Sequence, residues 1–284
     1  MLRYKEIFLG GPCNNNCLYC SAAHKTSAQT DFSQISGSLT KKEEDSVVLY
    51  GGEPMLRGDL LEIIRAAAGN GFRRIKLLTN GRALSDGQFL QQVMTAGCHL
   101  FEVKLWGSNP SLHDYMTRSP GSFWETMNGL GNLAGYPEDK FVCVRIPVCK
   151  ETSADIENTV VTALNFSVNR IVLSVQSYHS SFQSFLPHIR NAVNISIFNR
   201  TWILVEGLPF CAAEGLEAHM GEVYYGWDNI YDRTFRQHKY CAECVYRELC
   251  PGVEAGYLDR FGDKEFTPVL ASKHFTDIKA LHEY

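Results

Sequence analysis

Six short apolar runs alternate with amphipathic stretches over the first two thirds of the chain, and that alternation narrows the fold more than any other feature. The runs are IFLG (7–10), VVLYGG (47–52), IKLLTNG (75–81), LFEVKLWG (100–107), FVCVRIPV (141–148) and RIVLSV (170–175). Their near-continuous apolar character predicts strands of a parallel sheet covered on both faces. Between them lie helical patterns. Leu60, Leu61, Ile64, Ala67 and Ala68 fall on one face of a predicted helix. Ser85 with Gln88, and Ser122 with Glu125, have the spacing of capping boxes, and Asp155 stands where it can cap the run Ile156, Val160, Val161, Leu164. A last helix is predicted over 181–192.

This gives an α/β chain with six β/α units. A partial (β/α)6 barrel and a doubly wound open sheet share these local signals. The barrel is preferred because polar residues follow nearly every strand, at the end where barrel sites collect. The stretch 195–211 reads as a bridge leading out of the barrel. Beyond it aromatic residues, glycines and cysteines replace the alternation. A small irregular C-terminal domain organised by a metal is expected there, with residues 1–205 as the barrel and 206–284 as the second domain.

With 284 residues, 45% of them hydrophobic, the chain can bury one large core and a small satellite. A net charge of −4 offers no electrostatic footprint for nucleic acid. There is no apolar signal segment at the start and no apolar run long enough for a membrane span. A cytoplasmic protein without membrane contact is expected. Ten cysteines in such a chain point to metal ligands or catalysis rather than to a disulfide scaffold.

Cys13, Cys17 and Cys20 form a C-x3-C-x2-C triplet just after the first strand. Three thiolates that close together can hold three irons of a four-iron, four-sulfur cube, leaving one iron open to bind and activate a substrate. Gly10, Gly11 and Pro12 let the chain turn sharply off the strand. The alternative is a zinc loop completed by a distant ligand such as His24. After the second strand come Gly51, Gly52, Glu53 and Pro54. Two glycines there allow backbone to approach a ligand, and their carbonyls, or the Glu53 carboxylate, can meet an ammonium group. Glu53 can instead anchor the loop, and the motif alone can also be only a tight turn.

The triplet, with Tyr19 before its last cysteine, and the GGEP turn resemble the radical S-adenosylmethionine (radical SAM) superfamily over about residues 5–200. The resemblance implies a [4Fe-4S] cluster whose open iron chelates S-adenosylmethionine, and a 5′-deoxyadenosyl radical made by one-electron cleavage. It implies that the GGEP turn receives the methionine amine. It also implies a flavodoxin- or ferredoxin-type electron donor.

Other residues are candidates for the cofactor. Tyr19 can pack over the cluster edge or the nucleoside. Asn80 can bond the ribose or order a turn. Lys104 can reach the methionine carboxylate or close on Glu102, with which it shares a strand face. Arg118 matches the family's arginine after the fourth strand and can bind a carboxylate or lie on the surface; His113 and Asp114 can order that loop. Arg145, buried if the strand reading holds, is a candidate for the carboxylate or ribose. Cys149 follows the fifth strand and can donate a hydrogen atom to a substrate radical or be a small buried residue. Ser174 and Gln176, at the end of the sixth strand, can touch cofactor or substrate, and Cys98 reads as core.

Near the end, Cys241, Cys244 and Cys250 follow C-x2-C-x5-C spacing, and Cys211 is the natural fourth ligand. Four thiolates hold zinc or an iron–sulfur cluster equally well by spacing. The tail resembles the short twitch auxiliary domain, a relative of SPASM. No cysteine follows Cys250, so one auxiliary [4Fe-4S] cluster is expected and a second is not. Full ligation by four cysteines would favour electron transfer or structure over substrate ligation.

The function expected is hydrogen abstraction followed by net oxidation or crosslinking, with a ribosomally made peptide as substrate. A small-molecule dehydrogenation or tailoring reaction is the alternative, and an electron carrier or zinc-stapled binding module the non-enzymatic one. Only twelve residues precede Cys13, so a peptide would need a separate recognition protein, direct docking on the barrel or strand addition at a sheet edge.

Overall fold

Each of the six apolar runs overlaps a strand in the computed structural model, which describes residues 4–20, 28–40, 45–136, 139–176, 180–225 and 235–272. The strands are β1 (Tyr4–Phe8), β2 (Ser46–Tyr50), β3 (Arg74–Thr79), β4 (Leu100–Lys104), β5 (Phe141–Val148) and β6 (Arg170–Val175). The last two have the bounds predicted from sequence. The helices among them are α1 (Phe32–Ser38), α2 (Leu60–Gly69), α3 (Gly87–Ala96), α4 (Pro110–Thr117), α5 (Ser122–Gly135), α6 (Ile156–Leu164) and α7 (Phe182–Phe198).

The stretch expected to bridge out of the barrel is instead more of the fold. Helix α7 runs to Phe198, and β7 (Trp202–Glu206) follows as a seventh strand. Ile203, Leu204 and Val205 are buried in it, which is what a run of that β propensity does when a sheet offers a place. The strands are ordered β1-β2-β3-β4-β5-β6-β7, and the pairs from β1 to β5 are parallel. Nowhere does the order reverse. A doubly wound sheet requires such a reversal, so the sheet is that of a partial β/α barrel.

By contacts the chain divides into two units, one of residues 3–145 with 161–170 and the other of residues 1–2, 146–160 and 171–284. In the former, Val47, Leu49, Leu77, Phe101 and Val103 are fully buried in the strands, and Ile63, Ile64, Leu90, Val93, Leu130 and Leu133 in the helices. Each such side chain contributes about 2 kcal/mol by leaving water. On α2 the buried set is Leu60, Ile63, Ile64 and Ala67. Leu61 is only half-buried and Ala68 is exposed, so the apolar stripe is rotated from the one expected.

Neither expected capping box forms. Asp86 caps α3 by accepting from the Gln88 and Phe89 amides, while the Ser85 hydroxyl turns back to the Arg82 carbonyl at 2.7 Å. Ser122 lies inside α5, whose amino end is capped from outside by Asp114: its carboxylate accepts from the Gly121 and Phe123 amides and the Ser122 hydroxyl at 2.7–2.9 Å. These bonds outweigh the cost of burial and hold the Asp114 carboxyl below the usual range. At α6, the Asp155 carboxylate accepts from the side chains of Asn158 and Thr159.

The other unit carries α8 (Gly221–Tyr225), an antiparallel pair β8 (Phe235–Arg236) and β9 (Val253–Glu254), and α9 (Ala255–Phe261). Aromatic contacts stand in for regular layers here. Phe182 stacks on Tyr257 at 4.4 Å, and Phe210 on Tyr246 at 4.8 Å. The Tyr257 hydroxyl also accepts from the first amide of α7 at 3.0 Å. Among the described residues no helix is long and apolar enough to cross a membrane.

Candidate active site

The two glycine turns predicted at the ends of β1 and β2 pack backbone to backbone. Gly10, Gly11, Gly51 and Gly52 all have φ between 50° and 113°, a region in which a side chain is strained. A Cβ on Gly52 would stand 2.3 Å from the Gly11 carbonyl oxygen, and one on Gly51 would stand 2.5 Å from the Phe8 ring. The Glu53 amide donates to the Pro12 carbonyl at 2.9 Å. The cysteine loop and the GGEP turn are thus one folded piece.

Glu53 settles the alternative left open by its sequence. The carboxylate is buried and accepts from the Met55 amide at 3.1 Å, the Thr79 hydroxyl at 2.7 Å and the Asn80 amide at 2.7 Å. Burial still pushes its pKa up. It anchors the loop to the end of β3. Pro54 opens the short 3-10 turn Pro54–Leu56 that this carboxylate caps.

Asn80 performs a similar service for the cysteine loop. Its side chain donates to Asn14 Oδ1 at 2.7 Å, approaches Cys13 Sγ at 3.9 Å and accepts from the Arg82 amide at 3.0 Å.

Sequence reasoning passed over Arg82, which braces the same loop most heavily. Its guanidinium donates to the Asn14 carbonyl, to Asn15 Oδ1 at 2.8 Å and to Ser119 Oγ at 3.1 Å, and pairs with Glu125. Arg57 was passed over too. It is buried, donates to the Leu9 carbonyl at 2.7 Å and to the Thr30 carbonyl at 3.1 Å, and pairs with Asp59. An arginine immediately after the TNG turn, and another three residues after GGEP, were the available signals.

The loop is also fastened to the last turn of α4. The Asn16 and Leu18 amides donate to the Thr117 and Met116 carbonyls at 2.8 and 2.9 Å, which a helix end leaves without internal partners. Arg118 caps this helix in the left-handed conformation, with φ 51°, and is exposed. Asp114, through its cap on α5, orders this loop as expected.

The three thiols of the loop feel one another. Cys13 is pushed up by burial and by the nearby Glu53 and Cys20, and Cys17 reaches about 11 through burial and the other two cysteines. Lys104 and an indole hydrogen bond from Trp106 act on Cys17 in the opposite sense. Thiols so placed gain from a cationic iron core that accepts them as thiolates, and in that respect the donor set fits a cluster. Among the described residues no group of three His, Cys, Asp or Glu side chains is already closed up around a metal position. Tyr19 lies against Trp106, with ring centroids 6.5 Å apart, and the Lys104 ammonium stands 5.7 Å from the Trp106 ring. His24 lies outside the described residues.

Glu102 pairs with Arg145, by a short contact, and with Lys76 at 3.1 Å. The register sets Glu102 opposite Cys143 and Lys104 opposite Arg145, so these groups share one face of the sheet. Burial works against the Glu102 charge, but Arg145 and Lys76 hold its carboxyl far below the usual range. Arg145, a candidate for the cofactor, is engaged in this buried pair. Cys98 is core as expected, fully buried with its thiol on the Ile75 carbonyl.

In the second unit, Cys149 is buried and its thiol meets the Thr152 hydroxyl at 3.4 Å. Burial pushes it up to about 11. Cys211, Cys241, Cys244 and Cys250 all line one cavity, which also includes His238, Arg247 and Phe266. Burial, with Cys244 and Cys241 nearby, raises Cys211 to about 11, and burial raises Cys250 to about 12. Four thiols facing one space, with an arginine on its wall, fit a metal or cluster that takes them as thiolates.

The family model described as the radical SAM superfamily matches residues 7–163. Among curated proteins, the AdoMet-dependent heme synthase of Methanosarcina barkeri is 31% identical over 130 residues, which are 42% of this chain and 35% of that protein. A probable GTP 3′,8-cyclase of Methanothermobacter thermautotrophicus is 32% identical over 118 residues, 40% of this chain and 38% of that protein. The chain therefore spans well under half the length of these relatives. Among solved structures, Streptococcus suis SuiB bound to precursor peptide SuiA matches 93% of this chain and 74% of its own, with TM-score 0.63 and 12% identity. Native anSMEcpe with bound AdoMet and Kp18Cys peptide matches 98% of this chain and 95% of its own, with TM-score 0.65 and 12% identity. At those identities the likeness concerns the fold.

Proposed function

The chain belongs to the radical SAM superfamily, and from that premise we propose that it oxidises or crosslinks a ribosomally made peptide by hydrogen abstraction. The chemistry of the family is reductive cleavage of S-adenosylmethionine to a 5′-deoxyadenosyl radical; Cys13, Cys17 and Cys20 would hold the [4Fe-4S] group that would supply the electron. The remaining work belongs to the protein's own side chains.

The observation that carries the reading is the packing of the two glycine turns. Glu53 is consumed in anchoring, so the Gly51 and Gly52 carbonyls are the groups left to receive the methionine amine beside the cysteine loop. Tyr19, Asn80, Lys104, Arg118 and Arg145 are the candidate contacts for the rest of the cofactor. Asn80 and Arg82 hold the loop in register, so bound groups meet with little reorganisation.

The four cysteines lining one cavity support an auxiliary [4Fe-4S] group held by Cys211, Cys241, Cys244 and Cys250. An electron acceptor there suits a reaction that leaves the substrate oxidised. The domain division at residues 205/206 belongs to the same proposal, as does a flavodoxin- or ferredoxin-type donor. Cys149, with its thiol held by Thr152, is proposed as a hydrogen-atom donor to the substrate radical. The peptide reading draws support from SuiB and anSMEcpe, whose likeness spans 93–98% of the chain and whose structures hold peptides. A small-molecule substrate is the second reading, favoured by the heme synthase and GTP cyclase relatives.

The test is anaerobic reconstitution, reduction and addition of S-adenosylmethionine, followed by assay for 5′-deoxyadenosine. Candidate peptides and metabolites deuterated at the target carbon then identify the substrate by label in the nucleoside. An iron-loaded protein that yields no 5′-deoxyadenosine with any reductant would overturn the proposal. Label from metabolites alone would favour the second reading.

A further inference from the structure

Around Cys17 the chain has built a polar environment that nothing in the cofactor chemistry demands. Trp106 is only 1% exposed. A buried indole N–H usually finds an acceptor, and here that acceptor is the Cys17 sulfur. The ring is held from three sides. Tyr19 leans on it at 6.5 Å between centroids, and the Lys104 ammonium sits 5.7 Å from its centre. Behind it, the Trp106 backbone amide donates to His113 Nδ1 at 3.3 Å.

His113 is suited to that role and to little else. It is buried, and it packs edge-on against Phe123 at 5.7 Å. Burial lowers its pKa to about 4, so at neutral pH the imidazole is uncharged and Nδ1 is available as an acceptor. Because Nδ1 accepts the Trp106 amide, the neutral ring carries its proton on Nε2, which is buried without a hydrogen-bond partner. An unsatisfied buried N–H costs about 1–3 kcal/mol. The fold bears that cost in keeping His113 behind Trp106.

We infer that Trp106, positioned by His113 and joined by Lys104, donates its indole N–H to the Cys17 sulfur and thereby sets the reduction potential of the group bound to the three-cysteine loop. The inference rests on the reading of that loop as a cluster site. The physical reason is charge. Adding an electron makes a thiolate-bound cluster more negative, and a donor or cation beside a ligating sulfur stabilises that state more than the oxidised one. Cys17 has both neighbours. Lys104 thus acts on the metal side of the site as well as being a candidate for the methionine carboxylate, and Trp106 becomes a tuning residue rather than packing alone.

The test is an EPR-monitored redox titration of the reconstituted full chain, with iron content measured on every sample. Trp106→Phe keeps the ring and deletes the donor. It is expected to retain its iron and to show a more negative potential, lowering the reduced fraction at a fixed potential about tenfold, equivalent to about 59 mV for a one-electron couple. Lys104→Gln is expected to shift the potential in the same direction. His113→Ala should give part of the Trp106→Phe shift, and His113→Asn, which restores an acceptor, should recover it; a role in packing alone would not produce that rescue. If Trp106→Phe fails to hold iron, the Lys104→Gln and His113 titrations decide. Unmoved potentials in iron-loaded variants would overturn the inference while leaving the cluster site standing. If replacing Cys13, Cys17 and Cys20 together leaves iron content unchanged, both the cluster reading and this inference fall.

Discussion

Asn80 and Glu53 are joined by a 2.7 Å hydrogen bond from the Asn80 amide to Glu53 Oε2, and through it the turn after β2 is tied to the end of β3. The Asn80 side chain then reaches Asn14 in the cysteine loop at 2.7 Å. Two residues thus connect three strand ends.

The Glu53 carboxylate serves three buried donors, so Glu53→Ala should cost about 3 kcal/mol, since each orphaned donor forfeits about 1 kcal/mol or more. Urea unfolding of the metal-free protein measures this. A loss below about 0.5 kcal/mol would show that the donors find other partners and that Glu53 is not the anchor.

Gly52→Ala should be far worse than Gly58→Ala. A methyl at residue 52 would stand 2.3 Å from the Gly11 carbonyl oxygen at φ 50°, whereas one at residue 58 meets nothing within 4 Å. The expected result is lost binding of S-adenosylmethionine by iron-loaded Gly52→Ala, with Gly58→Ala like the parent by calorimetry. Equal affinity in the two would contradict the backbone packing described above.

Arg82→Ala should loosen the cysteine loop. Iron retained after reconstitution and gel filtration is expected to fall severalfold. Arg82→Lys should restore little of it, because one ammonium cannot reproduce a planar fork that serves Asn14, Asn15, Ser119 and Glu125. Full retention in both variants would rule out the bracing role.

Glu102 provides a pH dependence with a defined sign. Its folded pKa is depressed by Arg145 and Lys76, so its contribution is present above the ordinary carboxyl pKa of about 4.3 and is lost as pH falls below it. Glu102→Gln should be about 3 kcal/mol less stable at neutral pH. The difference from the parent should shrink on acidification below about pH 4. A difference independent of pH would show that the carboxylate charge contributes nothing to the pairing.

For the auxiliary site, the parent is expected to bind about eight irons per chain, and Cys211→Ala or Cys244→Ala about four. Zinc in place of the second set of irons would assign the cavity to a structural metal. Unchanged iron in both variants would remove the second cluster altogether.

Local patterns revealed most of the barrel. The FVCVRIPV and RIVLSV runs became β5 and β6 with the expected bounds, because a continuous apolar run between turn signals has few other ways to leave water. The seventh strand escaped because α7 runs on to Phe198, past its expected end at 192, so the strand after it fell inside the stretch read as a bridge. The caps were misassigned for a related reason. Ser122 has the right spacing to cap its own helix, but Asp114, eight residues earlier, arrives through the α4–α5 turn and outcompetes it with a full charge.

The sequence by itself determined the α/β class, the three-cysteine loop, the glycine turns and the second group of cysteines, since strand pattern, spacing and backbone freedom are local properties of the chain. Only the tertiary structure decided what Glu53, Asn80, Arg82, Glu102 and Arg145 are bonded to. A polar side chain's partner is chosen by which groups lie nearest in space once water is excluded, and those groups come from strands and turns far apart along the chain.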